Sequence, residues 1–292
     1  MQKRGRVIKA FCFLFLLILW GETGLARKAT SLTIEVPPGT KRLLFLDARG
    51  TPLKALEDED GDRRFESTLL YENGRLKELL KDRNTDGSPE EIVFFDQEGR
   101  PQELRLDRNG DGRPDKWQFY RKGRLFKVEE DRDFNGRVDL KAKIGPQGKP
   151  QVIWRDEDND GCFEIEEKFS PSRREVFVSK LTKPGHCASA KVHLHLLYQG
   201  SRLTARFFDR DLDGTFELQE FFGPQGKRCL VVEQGRERKA FFYRGGEKPI
   251  FGFRDEDGDG RFEKRFDYQQ ERWEAIRPLS LEELQTKCAR GK

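Results

Sequence analysis

One nine-residue pattern, Asp-x-Asp/Asn-x-Asp/Asn-Gly-x-x-Glu/Asp, recurs seven times in this chain, from starts at Asp58, Asp82, Asp107, Asp131, Asp156, Asp209 and Asp255. The starts are 24, 25, 24, 25, 53 and 46 residues apart. The last two intervals are about twice the others, so each is expected to hide one unit that has lost its acidic loop, at residues 183–189 and 233–239. About nine units of 24–25 residues then occupy residues 58–277. A fixed period of this length marks a repeat architecture, in which one supersecondary unit recurs and packs on its neighbours.

Between loops the chain reads as a hairpin. Each loop closes on an apolar residue and a carboxylate, as in Phe65-Glu66, Phe163-Glu164, Phe216-Glu217 and Phe262-Glu263. A bulky apolar residue follows six positions after the first: Tyr71, Phe95, Tyr120, Ile144, Phe169, Phe222 and Tyr268. With a period of two, these positions share one strand face and are expected to form the buried row. Next comes a Gly-basic pair, at Gly74-Arg75, Gly99-Arg100, Gly123-Arg124, Gly148-Lys149 and Gly226-Lys227. Its glycine supplies the positive φ that a tight hairpin or its bulge requires. Helical periodicity is absent from the array. The expectation is an all-β chain: tandem antiparallel β-hairpin repeats in an elongated twisted meander of about 20 strands, or alternatively a closed propeller of about five blades. The uniform turns favour the open ribbon.

Composition agrees with a thin fold. Charged residues make up 37% and hydrophobic residues 35%, a balance typical of disorder, but 24 Phe, 5 Tyr and 4 Trp argue against that. A single Met is sparse filling for a conventional α/β enzyme core. Many short strands, each burying one face and carrying charge on the other, fit better.

The ends read differently. Residues 1–26 combine Lys3, Arg4, Arg6 and Lys9, an apolar run over residues 10–20, and a small-x-small site at Gly24-Leu25-Ala26. This is the three-part pattern of a secretory signal peptide, cleaved after Ala26. The run covers roughly 17 Å as a helix against a bilayer core of about 30 Å, so the mature chain is not expected to span a membrane. A periplasmic or secreted location follows. The net charge of +4 includes +3 from this segment (four cations, Glu22), leaving +4 − 3 = +1. No general nucleic-acid affinity follows from so small a charge. Residues 27–57 read as an N-terminal β cap, residues 58–277 as the repeat domain, and residues 278–292 as a helical tail. In the tail, Ser280 and Glu283 fit a capping box ahead of Leu281 and Leu284, and the helix is expected to cover the last sheet edge. Cys162, Cys187, Cys229 and Cys288 remain after cleavage; three disulfide pairings are open to them, and free thiols are a further reading.

The acidic loops carry the chemistry. Calcium takes six to eight oxygen ligands, and carboxylates at positions 1, 3 and 5 wrap one ion while Gly at position 6 allows the bend. The candidate ligands are Asp58, Asp60, Asp62 and Glu66; Asp82, Asn84, Asp86 and Glu90; Asp107, Asn109, Asp111 and Asp115; Asp131, Asp133, Asn135 and Asp139. In the last three loops they are Asp156, Asp158, Asp160 and Glu164; Asp209, Asp211, Asp213 and Glu217; Asp255, Asp257, Asp259 and Glu263. The glutamate that an EF-hand carries at position 12 is not maintained: Leu69, Val93, Gln118, Ala142, Glu167, Glu220 and Phe266 stand there. The loops resemble the Asp-x-Asp-x-Asp-Gly-x-x-Asp calcium hairpins of FG-GAP and related exported repeat proteins, and the Gly-Arg hairpin with its aromatic resembles MORN-like bacterial repeats. That resemblance covers nine residues per unit; it implies calcium as cofactor and transfers no biological role. Ordinary acidic turns are the competing reading, because Asp, Asn and Gly are turn residues without any metal. Arg63 in place of glycine counts against the first loop, Asn84, Asn109 and Asn135 lower the charge of the next three, and the last three loops are expected to bind best.

His186, His193 and His195 lie within ten residues beside Cys187. Zinc ligation is one reading; histidines on a solvent face of a degenerate unit is the preferred one. No Gly-rich phosphate loop, Gly-x-Ser-x-Gly elbow or His-Glu-x-x-His motif occurs, and acids are too numerous for one catalytic pair to stand out. The leading functional expectation is a non-enzymatic, calcium-stabilised scaffold or binding surface with an unknown protein or glycan partner. The alternative is a propeller-type glycan hydrolase or lyase with carboxylates in a central cleft.

Overall fold

A computed structural model describes residues 30–35, 41–235 and 237–290. Residues 1–26, read from sequence as a signal peptide, lie outside the described residues. The chain divides into two compact units, residues 1–138 with 146–148, and residues 139–145 with 149–292.

The first unit holds strands β1 (Thr30–Glu35), β2 (Lys41–Leu46), β3 (Pro52–Asp58), β4 (Ser67–Glu72), β5 (Arg75–Lys81), β6 (Glu91–Phe95), β7 (Pro101–Leu106), β8 (Lys116–Arg121) and β9 (Arg124–Glu130). The second holds β10 (Leu140–Ile144), β11 (Pro150–Arg155), β12 (Ile165–Phe169), β13 (Arg174–Leu181), β14 (Ala190–Gln199), β15 (Arg202–Phe208) and β16 (Leu218–Gly223). It continues with β17 (Gly226–Gln234), β18 (Glu237–Tyr243), β19 (Pro249–Asp255), β20 (Arg261–Asp267), β21 (Arg272–Ser280) and helix α1 (Leu281–Arg290). Within each unit every strand pairs antiparallel with the next, for example β4 with β5, β5 with β6, β16 with β17 and β17 with β18. The protein is an all-β hairpin-repeat meander. It does not close: among the described residues β1 pairs only with β2, and β21 only with β20. The propeller alternative is therefore set aside, since a propeller interrupts its hydrogen-bond ladder between blades and these ladders run on without a break. No described helix is long and apolar enough to cross a membrane.

The two units without acidic loops are hairpins, β14–β15 and β18–β19, and their strands include the expected residues 191–198 and 240–243. In a meander, every connection from an odd strand to an even one falls at the same strand end. Within each unit the acidic loops therefore line one end and the Gly-basic turns the other.

The turns reset the strand parity. Gly99 (φ 76°) and Gly123 (φ 73°) occupy the left-handed region open to glycine, and the register shifts just before them, at Phe94/Phe95 and Phe119/Tyr120. This corrects the expected buried row in part: Phe262 is fully buried as expected, but other members are not. Phe65 precedes β4 and Tyr268 lies beyond β20, with 39% and 40% of their surface exposed. The most buried row of the first unit runs mid-strand through Ala55, Leu69 and Val93, with Leu79 and Leu104 half-buried in the same line of cross-strand partners.

The face opposite this row mixes charge with aromatic rings. Glu78, Phe94, Glu103, Phe119 and Lys127 are successive cross-strand neighbours. The Arg105 guanidinium lies 4.6 Å from the Phe94 ring centre and Lys127 Nζ lies 4.5 Å from that of Phe119. Long cationic side chains thus lay their stems and charges over rings in the same row, covering apolar area that no second layer covers. A chain with more charged than hydrophobic residues can build a wide sheet in this way.

A true core forms in the second unit. Phe221, Cys229, Val231, Ala240 and Phe262 pack with Leu284 and Cys288 of α1. The capping box is present: Glu283 N–H donates to Ser280 Oγ (3.1 Å) and Ser280 N–H to the Glu283 carboxylate (2.9 Å). The helix does not cover the last edge, as expected from sequence, but lies on the sheet face at β16 and β17. A helix has already committed its N–H and C=O groups internally and offers an edge strand nothing to pair with, whereas Leu281, Leu284 and Cys288 form a stripe that suits a face. Disulfides join Cys229 to Cys288 and Cys162 to Cys187, so none of the four is a free thiol. The second bridge links residues 25 apart, one period.

Two acids occupy the mid-strand row of the second unit. Glu167 meets Arg155 at 2.6 Å; Glu220, 4% exposed, meets Arg206 and, at 2.7 Å, Lys227. Burial opposes Glu220 ionisation, but the hydrogen bonds from Lys227 and Arg206 outweigh it and hold its carboxyl below the usual range. A depressed folded-state pKa contributes stability that is present above the unfolded pKa and lost as pH falls through the folded one. Glu220→Gln is therefore expected to cost about 1–2 kcal/mol in urea unfolding at pH 7. The gap should shrink as the pH falls through that lowered folded-state pKa; a gap of constant size across the whole acid titration would refute the assignment.

Candidate metal centres

Each acidic loop begins where a strand ends. The position-1 aspartate is the last residue of that strand or follows it directly, and except for the half-buried Asp82 it is buried: Asp58 1% exposed, Asp156 4%, Asp209 1% and Asp255 2%. Its two oxygens accept N–H groups from within the loop. In the sixth loop Leu212 N–H donates to Asp209 Oδ1 (2.7 Å) and Gly214 N–H to Oδ2 (2.9 Å). The other acids follow a fixed scheme. Asp213 N–H donates to Asp211 Oδ1 (3.1 Å), Thr215 N–H to Asp213 Oδ1 (2.6 Å), and Arg210 N–H to Glu217 Oε2 (2.6 Å). The seventh loop repeats these bonds on Asp255, Asp257, Asp259 and Glu263. One oxygen of each acid at positions 3, 5 and 9 thereby anchors the loop, and the second is not used by this scheme.

The bend needs two left-handed residues. Position 6 has φ of 91° at Gly161 and 99° at Gly214. Position 4 is left-handed as well, even where it is Phe134 (φ 60°) or Leu212 (φ 61°). A non-glycine residue there costs on the order of 1–2 kcal/mol. The sequence reading assigned the bend to position 6 alone; Gly61, Gly110 and Gly258 at position 4 were the available signal. Arg63 does not break the first loop, contrary to the doubt it raised. It adopts φ 80°, and its N–H still reaches Asp58 Oδ2 at 3.1 Å.

The loops fall into two kinds. In the first, fifth, sixth and seventh, four carboxylates each place an oxygen within 4.8 Å of the others: Asp58, Asp60, Asp62 and Glu66; Asp156, Asp158, Asp160 and Glu164; Asp209, Asp211, Asp213 and Glu217; Asp255, Asp257, Asp259 and Glu263. In the second kind an asparagine amide supplies a positive end from inside. Asn84 Nδ2 donates to Asp86 Oδ2 (2.9 Å), Asn109 Nδ2 to Asp111 Oδ2 (3.2 Å) and Asn135 Nδ2 to Asp133 Oδ2 (3.0 Å). The third loop adds the Arg108 guanidinium on Asp115. In the second loop Glu90 accepts the Arg83 N–H (2.8 Å) while Asp82 accepts that of Gly87 (2.9 Å). Asp107 and Asp131 hold their loops in the same way, through Gly112 and Gly136. Asp139 opens the second unit, while Asp131, Asp133 and Asn135 belong to the first.

The fifth and seventh loops contain unanswered charge. Asp156 Oδ1, Glu164 Oε1 and Glu263 Oε1 are buried without a hydrogen-bond partner. Burial, opposed by the Glu157 N–H and its own, together with the charges of Asp158 and Asp156, pushes the Glu164 carboxyl above the usual range. Orphaned carboxylate oxygens beside like charges are unfavourable, and a hard divalent cation with oxygen ligands relieves both conditions. These loops fit a metal ion.

Position 12 takes no part. Leu69, Val93 and Ala142 belong to the buried mid-strand row, and Glu167 and Glu220 are held there by arginine and lysine. His193 and His195 are not on a solvent face, which corrects the preferred reading for those two, while His186 is exposed as expected. His195 stacks on Phe177 (centroids 4.2 Å apart) and Phe207 (5.4 Å), with Nε2 3.2 Å from Glu175, and His193 is partly buried. Among the described residues none of the three joins a cluster of potential metal ligands.

A scan against protein-family models finds no match, and a search of curated proteins finds none either.

Proposed function

We propose that this protein is an exported, calcium-stabilised β-repeat scaffold that presents a non-enzymatic binding surface outside the cytoplasm. The observation that carries the calcium reading is the set of buried, unpartnered oxygens on Asp156, Glu164 and Glu263, inside clusters built wholly of carboxylates. Calcium suits such a site better than magnesium, because its six to eight oxygens tolerate irregular geometry and bidentate carboxylates. Zinc prefers nitrogen and sulfur, and the one cysteine in these loops, Cys162, is in a disulfide. Export rests on the basic, apolar and small-residue pattern of residues 1–26, and the two disulfides agree with an oxidising compartment. A binding role accords with acids that anchor loops along one strand end and do not converge on one cleft.

Equilibrium dialysis of the mature protein against radioactive calcium tests the reading. The expected result is about four sites per chain, with Kd of about 10⁻⁴ to 10⁻³ M. Asp257→Asn with Asp259→Asn should remove one. Seven equal sites would contradict the asparagine argument, and none would sink the proposal.

A further inference from the structure

The end of the second unit opposite the acidic loops has its own chemistry. A cleft of about 760 Å³ lies between the turns before β17 and after β18, strands β19 to β21, and the wall of α1 at Cys288. Six cations line it: Lys227, Arg228, Arg244, Arg265, Arg277 and Lys287. No aspartate or glutamate lines it, in a chain with 52 acids. Its floor is apolar, with Phe242, Phe251, Phe253 and Ile250.

The cations are held in different ways. Lys227 and Arg277 pair with Glu220 and Glu283, each at 2.7 Å, and those acids stand outside the cleft. Arg265 pairs with Glu274, yet its Nε is buried with no hydrogen-bond partner. Arg244 and Lys287 are exposed, without an ion-pair partner among the described residues. Arg228 lies across Gly223, where any Cβ would collide with its guanidinium. The glycine keeps space for that cation.

We propose that this cleft binds a small anionic amphiphile, a carboxylate, phosphate or sulfate joined to an aromatic or acyl body. The size lies within the range of small-molecule sites, and such sites combine an apolar lining with a few convergent polar groups. The rim supplies the counter-charge and the phenyl rings take the body. A neutral sugar fits poorly, because sugar hydroxyls call for acceptors as well as donors and Gln225 is the one side-chain amide in the lining. Nothing in this cleft depends on the metal loops at the other strand end, so the proposal stands apart from the calcium reading.

The probe is 8-anilinonaphthalene-1-sulfonate, titrated by fluorescence into the full mature chain at fixed calcium. One saturable site is expected, weakened by rising salt as the screening length shortens. Displacement by decanoate would identify an acyl body and displacement by naphthoate an aromatic one; decyltrimethylammonium should displace neither dye nor anion. Arg244→Glu with Lys287→Glu should weaken binding at least tenfold with an unchanged melting curve, whereas the charge-conserving Arg244→Lys alone should keep most of the affinity. No saturable binding, equal displacement by the cationic amphiphile, or full affinity in the double charge reversal would each overturn the proposal.

Discussion

Calcium at 10 mM is expected to raise the melting temperature of the chelator-treated protein by about ten to twenty degrees, mostly through the second unit. Three of the four all-acid loops, those at Asp156, Asp209 and Asp255, belong to that unit. An ion that binds only the ordered loop stabilises folding by RT ln(1 + [Ca]/Kd). With Kd of about 10⁻⁴ to 10⁻³ M, each site contributes about 1.4–2.7 kcal/mol, or about 4–8 kcal/mol over three loops. A domain of this size melts about 2–4 °C higher per kcal/mol. Magnesium should do far less, since it dehydrates reluctantly and demands a stricter geometry. Asp211→Asn with Asp213→Asn gives a sharper test. Asn84, Asn109 and Asn135 answer a neighbouring acid with their own amide. The variant should therefore melt higher than the wild type in chelator, and gain less from calcium. Superimposable wild-type melting curves in chelator and calcium would reduce these loops to acidic turns.

The period and the strand alternation were legible because both are local. A nine-residue loop and a glycine turn specify their conformation from residues close in sequence, and the hairpins at residues 190–208 and 237–255 follow even where the acids are gone. What misled was parity. A bulge at each glycine turn inserts one residue into the count, so Phe65 and Tyr71 do not share a buried face although they are six apart. The same counting hid the mid-strand row, through Leu69 and Val93, which is the buried one. Loop quality was only half legible. Asn at position 3 or 5 signals lower charge, but its amide donating to the adjacent aspartate is a property of the folded loop. Arg63 looked disabling because residue type stood in for conformation; the surrounding hydrogen bonds hold its φ where glycine would go. The docking of α1 was beyond sequence, because four cysteines permit three pairings and the choice of face follows from the pairing.

Cutting the bridge between Cys229 and Cys288 is expected to cost the second unit about 4 kcal/mol, the chain-entropy value for a closed loop of 59 residues. Both cysteines are essentially fully buried, at 0% and 1% exposure, so the double alanine variant also leaves a gap that sulfur filled. Leu284→Ala should cost a further 2–5 kcal/mol on the scale of about one buried leucine. Leu284 is fully buried against the sheet face, and among the described residues α1 is the one helix that packs on it. The two losses should not add. Once the bridge is gone the helix is free to detach, and a detached helix has no packing left for Leu284→Ala to remove. A double-mutant cycle in urea should therefore show coupling of about 1–3 kcal/mol, with the combined loss smaller than the sum. Strict additivity would mean that α1 stays docked without its bridge. A loss below about 1 kcal/mol for all three variants would mean that the helix contributes nothing to the fold, and that the core of the second unit is carried by β15 to β20 alone.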